Sequence, residues 1–326
     1  GYQGGPATGY LYEMETFEEF QEALRRQTEF YVGWHITCGN IAEYAYRYTY
    51  PCPVASATMD GCMESGKDVL RGGAKYNSTG TTGCGIGNVA DSLMAIKMAF
   101  DGRLGCTTKD LYDAICANWE GYEALYAYVN SDRVHHYGND DDYADELTKF
   151  AMDSWCRHIE KRPNPHGGKY SPGVYSVTVN VTHGQNQWAS VEGRKAFEPV
   201  SDCIGAVHTK CCSHDVSGPI AICKSVTKLD HARATNGTLL NWKFSPSTLV
   251  GETGRDNFIA LMEEYLQRKG MHSQFTVANQ ATLIAAQKEP ENYRDLLVRV
   301  AGYSAYFVRL SDAIQDEVIN RTSHDI

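Results

Sequence analysis

The sequence is short of proline, with 10 in 326 residues, and short of basic side chains, with 30 Lys and Arg against 40 Asp and Glu. It also lacks any long apolar run. Each shortage excludes something. A net charge of -10 leaves little to neutralise phosphate, and affinity for polynucleotides rests chiefly on Lys and Arg doing so, so no nucleic-acid partner is expected. No window approaches the roughly 18 apolar residues of a membrane span, and the opening GYQGGPATGY has neither the basic nor the apolar segment of a secretion signal. We therefore expect neither a membrane association nor export. No Cys-x-x-Cys pair occurs among the 11 cysteines, an odd number that fits free thiols in a cytoplasm better than a disulfide framework. The sequons at Asn77, Asn180, Asn236 and Asn320 then carry no glycan. What remains, 42% apolar and 21% charged, is the composition of a folded chain of one large or two medium domains.

The first 14 residues read as a Gly-rich loop. Thr16 with Glu19 three residues on is a capping-box signature for a helix carrying Phe20, Ala23 and Leu24. Helical periodicity recurs over 89–100 (Val89, Leu93, Ile96), 108–128 (Leu111, Ile115, Trp119, Tyr122) and 140–161 (Tyr143, Leu147, Phe150, Ile159). Strict alternation in VYSVTVNV, 174–181, predicts a strand with Tyr175, Val177, Val179 and Val181 on one face, and 218–229 and 272–278 are also strand-like. Pro290 suits the first turn of a helix running to Val298, and Ser311 with Asp312 suits the start of a last helix carrying Ile314 and Val318. Together these predict an α/β chain.

Three clusters invite a chemical reading. GGAKYNSTGTTGCGIGN, 72–88, holds six glycines but matches neither the dinucleotide nor the P-loop spacing; the competing reading is backbone packed where a Cβ would clash. Asp140, Asp141 and Asp142 could chelate a hard cation or, with Asp140 as cap, start a helix. Cys211 and Cys212 lie between His208 and His214, yet vicinal cysteines are poorly spaced for one tetrahedral zinc site, and no metal is expected. The odd feature is RVAGYSAYFVRL, 299–310: Gly302 sits among residues so apolar that the segment is expected to be buried, with glycine relieving crowding there.

That stretch, extended to Thr322, resembles the C-terminal signature of the glycyl radical enzymes. The similarity runs from about Ala55 through DGCMESGKDVLRGGAKYN (60–77), YGNDDDYAD (137–145), GRKAFEP (193–199), KSVTKLDHARATNGTLLNWKFSP (224–246) and HSQF (272–275). It is closer to the lyase, dehydratase and decarboxylase branch than to pyruvate formate-lyase itself. The resemblance implies the C-terminal half of a ten-stranded α/β barrel with surrounding helices, over residues 15–245, and a glycyl radical domain over 246–326. Gly302 would store a carbon radical, within a loop that includes Arg299, Tyr303, Ser304 and Ala305. A radical S-adenosylmethionine activating enzyme would install it, with no bound cofactor, and the flanking aromatics would exclude oxygen.

In the family the stored radical regenerates a thiyl radical on a cysteine in a Gly-Cys-x-Glu motif. Gly61-Cys62-Met63-Glu64 has that form, but its 240-residue distance from Gly302 is too short, and 60–77 matches a second, downstream stretch of the family. Cys211 and Cys212 resemble the paired cysteines of pyruvate formate-lyase, yet Cys212 is only 90 residues from Gly302. The expectation is that the thiyl cysteine lies outside this chain, on an N-terminal part or a partner chain, and that C–O, C–N, C–S or C–C cleavage of a small substrate needs both. A spare part that restores an oxygen-damaged enzyme, or a formate acetyltransferase-type enzyme, is the alternative. Candidate substrate contacts are Glu64, Tyr175, Val177, His272 and Gln274.

Overall fold

A computed structural model describes residues 3–208 and 213–324. The chain begins with α1 (Phe17–Thr49), α2 (Pro53–Thr58) and α3 (Cys62–Ser65), then β1 (Ser78–Gly83) and four helices, α4 (Ile86–Phe100), α5 (Thr108–Cys116), α6 (Glu123–Val129) and α7 (Asp142–Cys156). β2 (Lys169–Val174), α8 (Val179–Gln185), α9 (Pro219–Thr227), β3 (Gly237–Phe244), α10 (Gly251–Gln267) and β4 (His272–Val277) follow. The chain closes with α11 (Gln280–Lys288), β5 (Leu297–Arg299), β6 (Ser304–Tyr306), α12 (Asp312–Asn320) and β7 (Ser323–His324).

Four strands form a parallel sheet in the order β1-β2-β3-β4, with β7 also parallel to the end of β3. Parallel neighbours need long crossovers, and helices fill each interval between them. The helices bury one face of the sheet: Leu240, Trp242 and Phe244 of β3 pack with Leu93 and Met94 of α4 and Leu261 and Tyr265 of α10. Each such side chain removed from water contributes about 1.5–3 kcal/mol. The alternate residues of β3 and β4, among them Asn241, Lys243, Gln274 and Thr276, face the other way, and that face receives the hairpin β5–β6. The hairpin has its own small core, in which Val298, Val300 and Phe307 meet Leu283 of α11 and Val318 and Ile319 of α12.

Helix α1 is about 50 Å long at 1.5 Å per residue. Thr16 Oγ1 accepts from the Glu19 amide at 3.2 Å, but Glu19 turns its carboxylate to the Glu15 amide, so the expected capping box is half-formed. Val32 and Ile36 pack on Ile159 and Tyr170. Tyr31, Trp34, Ile41 and Tyr48 are exposed, and at positions i, i+3, i+10 and i+17 they line one side of the helix.

Several sequence expectations fail locally. Strand β2 ends at Val174; Val177 has φ 54° and is exposed, and α8 takes up the rest of the alternating run. Alternation of β-branched residues was outweighed by a helix that buries Asn180 and Val181 on one side. Residues 218–229 are not a strand but α9, opened by Pro219 at its first turn, the position proline favours. Pro290 starts only a short 3-10 turn, after which Leu297–Arg299 is extended. The 108–128 helix breaks at Asn118 and Trp119, both with positive φ. Asp141, not Asp140, caps α7, accepting from the Tyr143 and Ala144 amides; Asp140 instead pairs with Lys224 and Lys228. In the Gly-rich stretch, a Cβ on Gly73 would lie 2.1 Å from the Lys67 carbonyl oxygen and one on Gly87 2.8 Å from that of Gly205, so close backbone packing explains these glycines.

Candidate functional site

The turn that carries Gly302 is set by strand pairing. Arg299 pairs with Ser304, Val298 with Ala305 and Leu297 with Tyr306 in an antiparallel hairpin, and the Val300 N–H donates to the Tyr303 carbonyl at 3.0 Å. Gly302 at the tip has φ 83°, the left-handed region that costs other residues about 1–2 kcal/mol. A Cβ there would meet nothing within 4 Å. Conformation, then, and not crowding, is what requires glycine here. The expected burial of this segment is also corrected: Val300, Ala301 and Phe307 are buried, but Gly302, Tyr303, Ser304 and Tyr306 are exposed, because the described residues cover only the side of the turn that faces the sheet.

On that side a polar network holds the turn. Gln274 of β4, 4% exposed, accepts from the Gly302 N–H at 3.0 Å and from Arg299 Nε at 2.8 Å through one oxygen, Oε1. Its Nε2 donates to Asn241 Oδ1, and Asn241 Nδ2 donates to Asp202. Thr276 Oγ1 donates to the Arg299 carbonyl and accepts from its N–H, both at 3.1 Å. From beyond α12, Arg321 donates to the carbonyls of Arg299 and Val300 at 3.0 and 2.9 Å, forms a two-pronged pair with Glu317 at 2.9 Å each, and lies 3.9 Å from the Asp202 carboxylate. Burial pushes the Glu317 carboxyl above its usual range, and Arg321 pulls it back only in part.

Gln274, a candidate substrate contact from the sequence, and Arg299, part of the expected radical loop, both lie at Gly302, with Ser304 Oγ accepting from Arg299 Nη1 at 3.2 Å. Ala305 packs on the hairpin core. His272 shares the face of Gln274 but is exposed; partial desolvation and then the Arg299 charge lower its basicity. Tyr175 packs with Cys203, Leu239 and Ala301, the residue before Gly302, and its hydroxyl accepts from Asn236 Nδ2 at 2.7 Å. Val177 faces solvent. Glu64 is turned onto its own helix, accepting from the Gly61 amide at 3.0 Å, beside a buried Cys62. Asn241, Thr276 and Arg321 were missed. The alternation of β4 would have given Thr276, two residues from Gln274; nothing in the sequence marks Arg321.

An open cavity of about 830 Å³ lies between α1 and the end of the sheet, lined by Tyr31, His35, Thr82, Trp155, Val174 and His183 among others. Thr82 and Cys84 of its lining donate to the Tyr175 carbonyl, and Tyr175 in turn packs with Ala301, so Tyr175 lies between the cavity and the turn. Among the described residues one cluster has metal-ligand chemistry, Asp91 with His136 and His214. Its carboxylate is already occupied, accepting from the Tyr137 amide at 2.8 Å and lying 2.6 Å from His214 Nδ1. Burial works against that carboxylate, yet the two histidines hold it down at about 2, as in a buried ion pair. Of the residues in the zinc reading, His208 lies by Asp215 and Thr322 and His214 by Asp91, while Cys211 and Cys212 fall outside the described residues. All nine described cysteines are unpaired.

Two family models match the chain, one described as pyruvate formate lyase-like over residues 1–184 and one described as glycine radical over residues 208–308, which includes Gly302. The chain is 48% identical over 99% of its length to a (2S)-3-sulfopropanediol dehydratase of Klebsiella oxytoca, and 40% identical over 98% to a trans-4-hydroxy-L-proline dehydratase of Clostridioides difficile. It spans only 39% and 40% of those proteins. Among solved structures, the glycerol-bound B12-independent glycerol dehydratase of Clostridium butyricum superposes on all of it with a TM-score of 0.93 at 40% identity, over 41% of that enzyme.

Proposed function

The chain belongs to the pyruvate formate-lyase-like glycyl radical enzymes, and from that premise we propose that it is the radical-bearing portion of a dehydratase or lyase of the family, working in the cytoplasm. Gly302 is the storage residue. The observation that carries this is the turn itself: an exposed glycine at φ 83°, its amide anchored and open space beside its α-carbon. A radical S-adenosylmethionine activating enzyme removes one α-hydrogen atom, which passes to the carbon radical that enzyme makes. The electron left on Gly302 spreads over the adjoining amide nitrogen and carbonyl. A side chain would oppose both the backbone conformation and the flattening of the carbon.

The cysteine that Gly302 serves lies on a further N-terminal part or a partner chain. Cys62, the one residue with the right local motif, is buried with its Glu64 committed elsewhere. That further part also completes the barrel. Its place is the edge of β1 left unpaired among the described residues and the apolar side of α1, and the relatives, of which this chain spans 39–41%, are long enough to supply it. Unpaired edges and large exposed apolar surface call for such a cover. Residues 15–245 act as scaffold and 246–326 as the glycine-bearing portion. The substrate is a small 1,2-substituted molecule bound in the cavity beside Tyr175. Loss of water is favoured over loss of an amine or sulfite, because the two relatives named above are dehydratases.

The test is electron paramagnetic resonance after anaerobic activation. A doublet split by the one remaining α-hydrogen is expected, and it should vanish in Gly302→Ala. Its absence from the unmodified chain sinks the assignment. A stable monomer by light scattering that turns over substrate without a second part would sink the requirement for one.

A further inference from the structure

We infer that Gln274 is a positioning residue for Gly302: its side-chain oxygen fixes the glycine amide and sets how far an unpaired electron on the α-carbon spreads onto that nitrogen. The inference rests on the reading that Gly302 stores the radical, and it gives Gln274 a different task from contact with substrate.

The orientation of the Gln274 amide follows from its partners. The Gly302 N–H and Arg299 Nε can only donate, so the oxygen must face them. The nitrogen must then face Asn241 Oδ1, whose own nitrogen faces the Asp202 carboxylate. The result is a one-way chain of donors, from the Gly302 N–H through Gln274 and Asn241 to a carboxylate 4% exposed. Each bond in such a chain polarises the next, so a terminal anion makes Gln274 Oε1 a stronger acceptor. An acceptor that draws on the N–H proton leaves more electron density on the nitrogen to share with the α-carbon. Gln274 is itself 4% exposed and lies on β4, whose register with β3 pairs Asn241 with Gln274. It therefore holds one end of the glycine in place on a rigid element while the α-carbon, with nothing within 4 Å on the side a Cβ would occupy, has room to flatten.

Two measurements on the full chain test this with Gln274→Leu, which removes the acceptor, and Gln274→Glu, which restores one. In unactivated protein labelled with 15N-glycine, the Gly302 amide, assigned by its disappearance in Gly302→Ala, should shift upfield and exchange with solvent faster in Gln274→Leu and recover in Gln274→Glu. In activated protein the doublet splitting should widen in Gln274→Leu, as spin returns to the α-carbon, and narrow again in Gln274→Glu. A merely structural role would lower the amount of radical without changing its splitting. An unchanged Gly302 amide in Gln274→Leu overturns the positioning, and an unchanged splitting overturns the electronic effect. A wild-type chain with no doublet overturns storage at Gly302 instead, while the amide shift still decides whether Gln274 anchors the turn.

Discussion

Replacing Arg321 by Met should release the Gly302 turn from the rest of the chain. Arg321 is buried, with its side chain 5% exposed and that of Glu317 10% exposed, and it makes both prongs of the pair as well as two bonds to hairpin carbonyls. Removing one member of a buried pair strands the other, at about 3–5 kcal/mol. The loss should fall on the small core of the hairpin, α11 and α12, and a 3 kcal/mol loss there speeds amide exchange about a hundredfold. Hydrogen exchange read peptide by peptide should show that acceleration over 280–306 and not over β1 or α4. The pH dependence has a definite sign. A carboxyl raised by burial is penalised above its folded pKa and not below its unfolded one, so without Arg321 the deficit should shrink as pH falls toward the ordinary Glu range. Arg321→Met with Glu317→Gln should recover part of the stability and lose that dependence. A cost within about 1 kcal/mol, the size of an exposed pair, would falsify the clamp.

Gly302→Ala should lower stability by only about 1–2 kcal/mol, the cost of a left-handed non-glycine, measured by urea unfolding, because a Cβ meets nothing there; loss of the radical in that variant is then not loss of the fold. Asp91, held at about 2 by His136 and His214, contributes stability present above the ordinary Asp pKa near 3.8 and lost as pH falls through about 2. Asp91→Asn should cost about 2 kcal/mol at neutral pH and flatten the acid-unfolding curve, and an unchanged acid midpoint would count against the ion pair. Burial, and then the Arg321 charge, lower Lys243 to about 8, so its protonated form is penalised at pH 7 and the penalty fades as pH rises from 8 to 10.5. Calorimetry should show wild type gaining about 3 kcal/mol on Lys243→Met over that window; parallel curves would refute it.

Much of the site was legible because glycine, Gln274 and Arg299 sit in short contiguous patterns whose chemistry is local. HSQF on an alternating run placed Gln274 on one face of a strand, and β4 keeps that face. The failures share a cause. VYSVTVNV and 218–229 have apolar, β-branched residues that suit either a strand or a buried helix side, and only packing chooses between them. The expectation that 299–310 is buried failed at Tyr303 and Tyr306 because hydrophobicity gives what a segment prefers, not which neighbours are present to satisfy it. Asn241 reaches the Gly302 turn through Gln274 by sheet register, and Arg321 reaches it from the end of α12; no local pattern encodes either.

The exposed aromatic side of α1 also puts this chain in a race of reaction orders. Self-association through Tyr31, Trp34, Ile41 and Tyr48 is second order and grows with the square of concentration, whereas capture by a segment tethered to the same chain is first order, with an effective concentration set by the tether. Dilution should therefore favour the tethered arrangement, while a separate partner chain must be made at matching levels and at the same time. Yield of soluble protein against expression level thus tests the proposed second part, before any radical is made.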